Sequence, residues 1–157
     1  MQSNDLKTAG QALIENEEIS VLTLGCSMRP MLRQHKDIVV IKRIDCKLKK
    51  GDVVLYPGNN DQYILHRIMR VRKDGYVIRG DNNYFTEYGI TDSNIVGVLK
   101  EFYRNGKYVN CASSKGYKLY IFYIRHSYYL RYLWKKIIRP TLGKIKRFII
   151  EPFCSGQ

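Results

Sequence analysis

The sequence predicts a mainly β protein: a fold of short strands with a short N-terminal helix and a basic C-terminal helical tail. Three features predict it. Short apolar runs rich in Val, Ile and Tyr recur between Ile19 and Val109. Clusters of Gly, Pro, Asn and Asp separate them. Beyond residue 112 the apolar positions change to the three- and four-residue spacing of a helix.

Taken in order, residues 6–18 carry Ala12, Leu13 and Ile14 among glutamates and read as the short helix. Residues 19–24 form a strand leading into Gly25-Cys26-Ser27. Strands follow over 37–44 and 52–56, the second ended by Pro57-Gly58-Asn59-Asn60, with a solvated basic turn at 47–50 between them. Residues 62–72 form a longer strand, Lys73-Asp74-Gly75 a hairpin turn, and 76–79 the return strand. A strand over 95–104 meets the tight-turn pair Asn105-Gly106 before a last strand over 107–110. The β domain therefore spans 1–112 and the tail 113–157. Within the tail, residues 117–139 place Leu119, Phe122, Tyr123, Leu130, Leu133 and Trp134 at helical spacing among Arg125, Arg131, Lys135 and Lys136. Pro140 breaks that helix, and a second helical piece is expected over 143–150.

The formal net charge is +13, and it is unevenly placed. Residues 115–157 hold ten Lys or Arg against one acid, Glu151, and so supply +9; the first 114 residues supply only +4. The partner of the basic excess is a partner of the tail. Basic residues interleaved with Tyr, Trp and Phe over Tyr117 to Ile150 suit an anionic membrane surface. Nucleic acid is the second reading, which the high apolar content disfavours. A helix packed on the β core with solvated cations is the third.

Four cysteines, Cys26, Cys46, Cys111 and Cys154, show no CxxC pair and no metal-ligand spacing. They imply a reducing compartment, and Cys26 reads as a small buried thiol. No cofactor is expected. The polar first ten residues lack an apolar signal region, and no run reaches the length of a membrane span. The expected location is therefore cytoplasmic, peripheral at the inner face of the membrane.

Candidate chemistry sits in three strings. Gly25-Cys26-Ser27-Met28-Arg29-Pro30-Met31-Leu32 sets a hydroxyl between a glycine and a proline turn. Tyr63-Ile64-Leu65-His66-Arg67-Ile68 sets an imidazole in a strand, with Leu65 and Arg67 directed to the face opposite His66. Arg79-Gly80-Asp81-Asn82-Asn83 adds a carboxylate. A serine hydroxyl becomes a good nucleophile when a neutral histidine takes its proton. His35, in a polar turn, and His126, in the tail, belong to no such string.

These strings, with Gly51-Asp52-Val53-Val54 between the first two, resemble in order the G-x-S-M-x-P-x-L, G-D-V-V, basic-residue-Arg and G-D-N motifs of the signal peptidase I and LexA-type serine peptidases. The resemblance covers residues 19–107. It implies Ser27 as nucleophile and His66 as general base, and histidine at that position resembles the endoplasmic-reticulum and archaeal signal peptidases. It implies a peptide or pre-protein substrate with small residues before the cut. Asp81 has two readings: it supports His66, or it accepts backbone N–H groups or pairs with Arg67 or Arg79. Glu87 and then Asp92 follow as carboxylate candidates. The Ser27 N–H is the expected oxyanion donor; Gly25 stands where many bacterial leader peptidases carry a second, hydroxyl donor. Met28 and Leu32 suit either a small-residue pocket or the core. Two competing readings keep the fold: a self-cleaving regulator of LexA type, and a non-catalytic binding protein acting through the tail.

Overall fold

The computed structural model describes residues 12–13, 15–58 and 62–133. It is mainly β, a curled antiparallel half-barrel. Its strands are β1 (Glu18–Leu22), β2 (Ile38–Lys42), β3 (Val53–Pro57), β4 (Tyr63–Arg72), β5 (Gly75–Arg79), β6 (Glu87–Ile90), β7 (Gly97–Arg104) and β8 (Lys107–Asn110). The sheet order is β1-β2-β7-β3-β4-β5-β6, and β8 pairs with the far end of β7. Helix α1 (Lys115–His126) and the short α2 (Tyr128–Leu133) follow.

Most predicted strands stand within two or three residues of their expected limits. The Asn105-Gly106 turn has positive φ at both residues, 52° and 71°, which matches the right-handed twist of the flanking strands. The N-terminal helix ends before the limit of the 6–18 reading. Ala12, Leu13 and Glu15 are helical, but Glu18 already belongs to β1; residues 1–11 and 14 lie outside the described residues. The long helix expected over 117–139 is instead two: it stops at Ser127 and resumes as α2. Its remainder, Pro140 and the 143–150 piece lie outside the described residues. β6 and a single 3-10 turn at Asp92–Asn94 occupy a stretch where the sequence predicts no element. β6 is hard to read because Tyr88 and Gly89 are exposed, so its four residues carry no apolar alternation.

Both faces of the sheet centre are covered. Strand residues alternate, so Val53 and Leu55 of β3 enter one cluster with Leu13, Met28, Met31, Leu32, Ile41 and Phe102. Val54 and Tyr56 enter a second cluster with Ile68, Ile78 and Val98 on the other side. β3 is therefore buried at four consecutive positions.

By internal contacts the chain divides into Met1–Ile121 and Phe122–Gln157. The first unit includes the start of α1 because Tyr117, Tyr120 and Ile121 pack against the β core. In the second unit Phe122 and Tyr123 of α1 and Leu130 of α2 are exposed. Among the described residues no helix is long and apolar enough to cross a membrane.

Candidate active site

The Ser27 string is a loop closed at its base. Between β1 and β2 the Thr23 hydroxyl donates to the carbonyls of Arg33 and Asp37, and the buried Asp37 carboxylate takes the Arg33 backbone N–H and guanidinium. Inside the loop Met28, Met31 and Leu32 are buried, so it is anchored at both base and interior. Ser27 is partly exposed. Its carbonyl accepts from the Asn82 N–H at 2.6 Å, and the Asn82 amide reaches the Cys26 carbonyl at 3.3 Å. The G-D-N string is thus bonded directly to the Ser27 string. Cys26 itself is exposed, which corrects its reading as a buried thiol; the chain bends at Cys26, and Gly25 beside it is exposed too.

Register places the histidine. His66 lies opposite Val54 across the β3–β4 ladder, so its side chain shares the face of Val54 and, diagonally, of Tyr56. On the far side β5 pairs Ile78 with both Ile68 of β4 and Glu87 of β6. Two strands away, Glu87 therefore emerges on that same face. The three side chains meet. His66 Nδ1 lies 2.7 Å from Glu87 Oε1 and 3.0 Å from the Tyr56 hydroxyl, which donates to Glu87 Oε2 at 2.6 Å. Burial pushes the imidazole below its usual 6.5, against the opposing pull of Glu87 and Asp81. At neutral pH the ring is uncharged, which is the form a general base needs.

Gly80 lies against both the other ring nitrogen and the Ser27 loop. A Cβ at Gly80 would stand 2.8 Å from the Ser27 carbonyl oxygen, 2.9 Å from His66 Nε2 and 2.9 Å from the Asn83 amide nitrogen. No side chain fits among these atoms, so the glycine of the G-D-N string is a requirement of close approach. Ser27 and His66 also line one apolar cleft of about 300 Å³, whose walls include Val21, Leu24, Met28, Leu32, Leu55 and Leu65. Met28 and Leu32 thus belong to both core and cleft.

Asp81 sits elsewhere. Arg67, adjacent to His66 and so directed to the opposite face, holds it through Nε at 2.8 Å and Nη2 at 2.7 Å, with both side chains fully buried. Tyr120 adds a bond to Asp81 at 3.0 Å. The pairing with Arg67 is the geometry of Asp81, and the carboxylate hydrogen-bonded to His66 is that of Glu87, the candidate the sequence ranks second. Asp92 accepts from the Tyr76 hydroxyl. His35 and His126 are exposed.

Arg67 is also the tie between strings. It donates to the Gly51 carbonyl at 2.7 Å, to the Tyr117 hydroxyl at 3.1 Å and to Met31 Sδ at 3.1 Å. One guanidinium therefore links β4, the Ser27 loop, the G-D-N string, the Gly51 turn and α1.

No protein-family model matches this chain and no curated protein matches it. The likeness to signal peptidases rests on the four strings themselves.

Proposed function

We propose that this protein is a serine endopeptidase of the signal-peptidase-like type, acting on a peptide or pre-protein segment by a Ser-His mechanism. The observation that carries this reading is the His66 ring. Glu87 holds its Nδ1 side at 2.7 Å, and the ring lines the same cleft as Ser27. Ser27 Oγ bonds to the scissile carbonyl carbon as its proton passes to Nε2. The tetrahedral intermediate collapses, the C–N bond breaks, and the leaving amine takes the proton from Nε2. Water then attacks the acyl-enzyme with its proton going to Nε2, and that proton returns to Ser27 Oγ as the acid product leaves. The Ser27 N–H supplies an oxyanion donor. The apolar cleft receives the residues before the cut. Asp81 keeps the Arg67 knot together.

The pH dependence has a definite sign. The neutral ring is the active form, and burial lowers its pKa, so protonation occurs only below the usual 6.5. kcat/KM is expected to be flat at neutral pH and to fall by one proton on an acid limb below pH 6.5. The test is incubation of the purified protein and of Ser27→Ala with a peptide library, read by mass spectrometry. Cuts made only by the parent support the peptidase. A shortened chain that Ser27→Ala abolishes, with no peptide cut, assigns the self-cleaving regulator. No cut of either kind contradicts both and leaves the binding protein.

We propose in addition that the tail region docks on an anionic membrane surface from the cytoplasmic side. Phe122, Tyr123 and Leu130 are exposed, and the sequence from 115 onward carries the +9 excess. The protein is expected to sediment with phosphatidylglycerol vesicles, to release at high salt, and to ignore phosphatidylcholine vesicles. Phe122→Ser with Leu130→Ser should lose the binding. Failure to sediment, or equal retention of RNA with no vesicle binding, contradicts the proposal.

A further inference from the structure

Tyr56 belongs to none of the sequence strings, yet it is 1% exposed with its hydroxyl inside the His66–Glu87 pair. A phenol at this position of an apolar strand has to bury a polar group, which costs free energy unless the hydroxyl finds partners. Here it finds two, at 2.6 Å and 3.0 Å. We infer that Tyr56 is a positioning residue: it holds the Glu87 carboxylate and fixes the His66 ring in the tautomer that leaves Nε2 unprotonated. The consequence for turnover rests on the peptidase reading; the tautomer does not.

Donors and acceptors around the ring set the tautomer. The Tyr56 hydroxyl has one proton, and at 2.6 Å that proton is on the bond to Glu87 Oε2. What the hydroxyl presents to Nδ1 is therefore a lone pair. Glu87 Oε1 also presents only lone pairs to Nδ1. Two acceptors converge on Nδ1, so Nδ1 carries the hydrogen. On the opposite edge the Asn83 amide nitrogen, a donor only, stands 3.4 Å from Nε2. Three neighbours on two edges of the ring dictate one tautomer, and it is the one in which Nε2 is the base. The carboxylate also needs the hydroxyl for its own orientation. The Glu87 side chain is 26% exposed and rotates freely about its terminal bond unless its second oxygen is bound. Burial and the adjacent Glu87 push the phenol far above its ordinary value, so it stays a donor throughout the working pH range.

Tyr56→Phe removes the hydroxyl and keeps the ring. Two changes follow. Nδ1 loses one of its two acceptors, so the other tautomer gains population. Glu87 loses a donor that shared its charge, so it stabilises the imidazolium more strongly and the His66 pKa rises toward 6.5. The experiment is nitrogen-15 NMR of the His66 ring across a pH titration, on the full chain, in the parent, Tyr56→Phe and Glu87→Gln. It needs no substrate. The expected result is a single Nδ1–H tautomer in the parent, a mixed ring in both variants and a raised pKa in Tyr56→Phe. A ring with the same tautomer and pKa in parent and Tyr56→Phe overturns the inference, whatever the fate of the peptidase reading. With a cleaved peptide in hand, kcat should fall about 10- to 100-fold with KM unchanged. A raised KM at full kcat would instead make Tyr56 a cleft residue and also overturn it. If the parent cuts nothing while the ring behaves as expected, the peptidase reading fails and the positioning role stands.

Discussion

Glu87→Gln is expected to lower kcat/KM by about 10⁴-fold while leaving the fold intact. The carboxylate offers lone pairs from both oxygens, one to His66 Nδ1 and one to the Tyr56 hydroxyl. An amide cannot serve both. With its nitrogen toward His66 it turns Nδ1 into an acceptor and moves the ring proton to Nε2, the wrong edge. With its nitrogen toward Tyr56 it sets a donor against the hydroxyl proton. Either arrangement also removes the negative charge that, in the proposed mechanism, stabilises the imidazolium formed during attack. Steady-state kinetics on a cleaved peptide check this, with thermal melting to show the variant is folded. Asp81→Asn is the paired control: per folded molecule its turnover should stay far closer to the parent's. If the two effects are reversed, Asp81 is the group supporting His66 and the assignment here is wrong.

The second large effect is on stability. Asp81→Asn is expected to cost about 3–5 kcal/mol, because it leaves the Arg67 cation buried without its counter-charge. Both members of this pair are fully buried, and the Arg67 guanidinium is further held by bonds to Gly51, Tyr117 and Met31. Arg67→Met alone should cost a comparable amount by stranding the carboxylate. Replacing both, with Arg67→Met and Asp81→Leu, removes the charges together and should recover much of the loss. Urea denaturation of the parent, Arg67→Met, Asp81→Leu and the double variant closes the cycle, with Asp81→Asn measured beside them. Losses of under about 1 kcal/mol for each single variant would show that the pair is not the tie between the strings.

The sequence makes the positions of most strands and the two ends of the chemistry legible, since alternation and turn residues are local signals. Ser27 follows a strand and a glycine, and His66 sits in the longest strand; both need only near neighbours to be read. The Asn105-Gly106 hairpin is legible for the same reason. What joins His66 to its carboxylate is not local. Glu87 reaches the ring through two ladders, β4 to β5 and β5 to β6, each with a register irregularity. No short string encodes that registration. Tyr56 is hidden for a similar reason: it reads as one more apolar strand residue until the β3–β4 register sets it diagonal to His66. One signal does bear on Asp81. Adjacent strand residues face opposite sides, so a carboxylate bound to Arg67 is on the face away from His66. The reading of Asp81 as a partner of Arg67 follows that rule.

The central claim is that Ser27 cuts peptide bonds. Mass spectrometry of protein and peptide N-termini, in cells carrying the native chain against cells carrying Ser27→Ala, tests it directly. The expected result is a set of N-termini present only with Ser27, sharing small residues just before the cut. Identical N-terminal profiles, with both proteins folded and equally abundant, would contradict it.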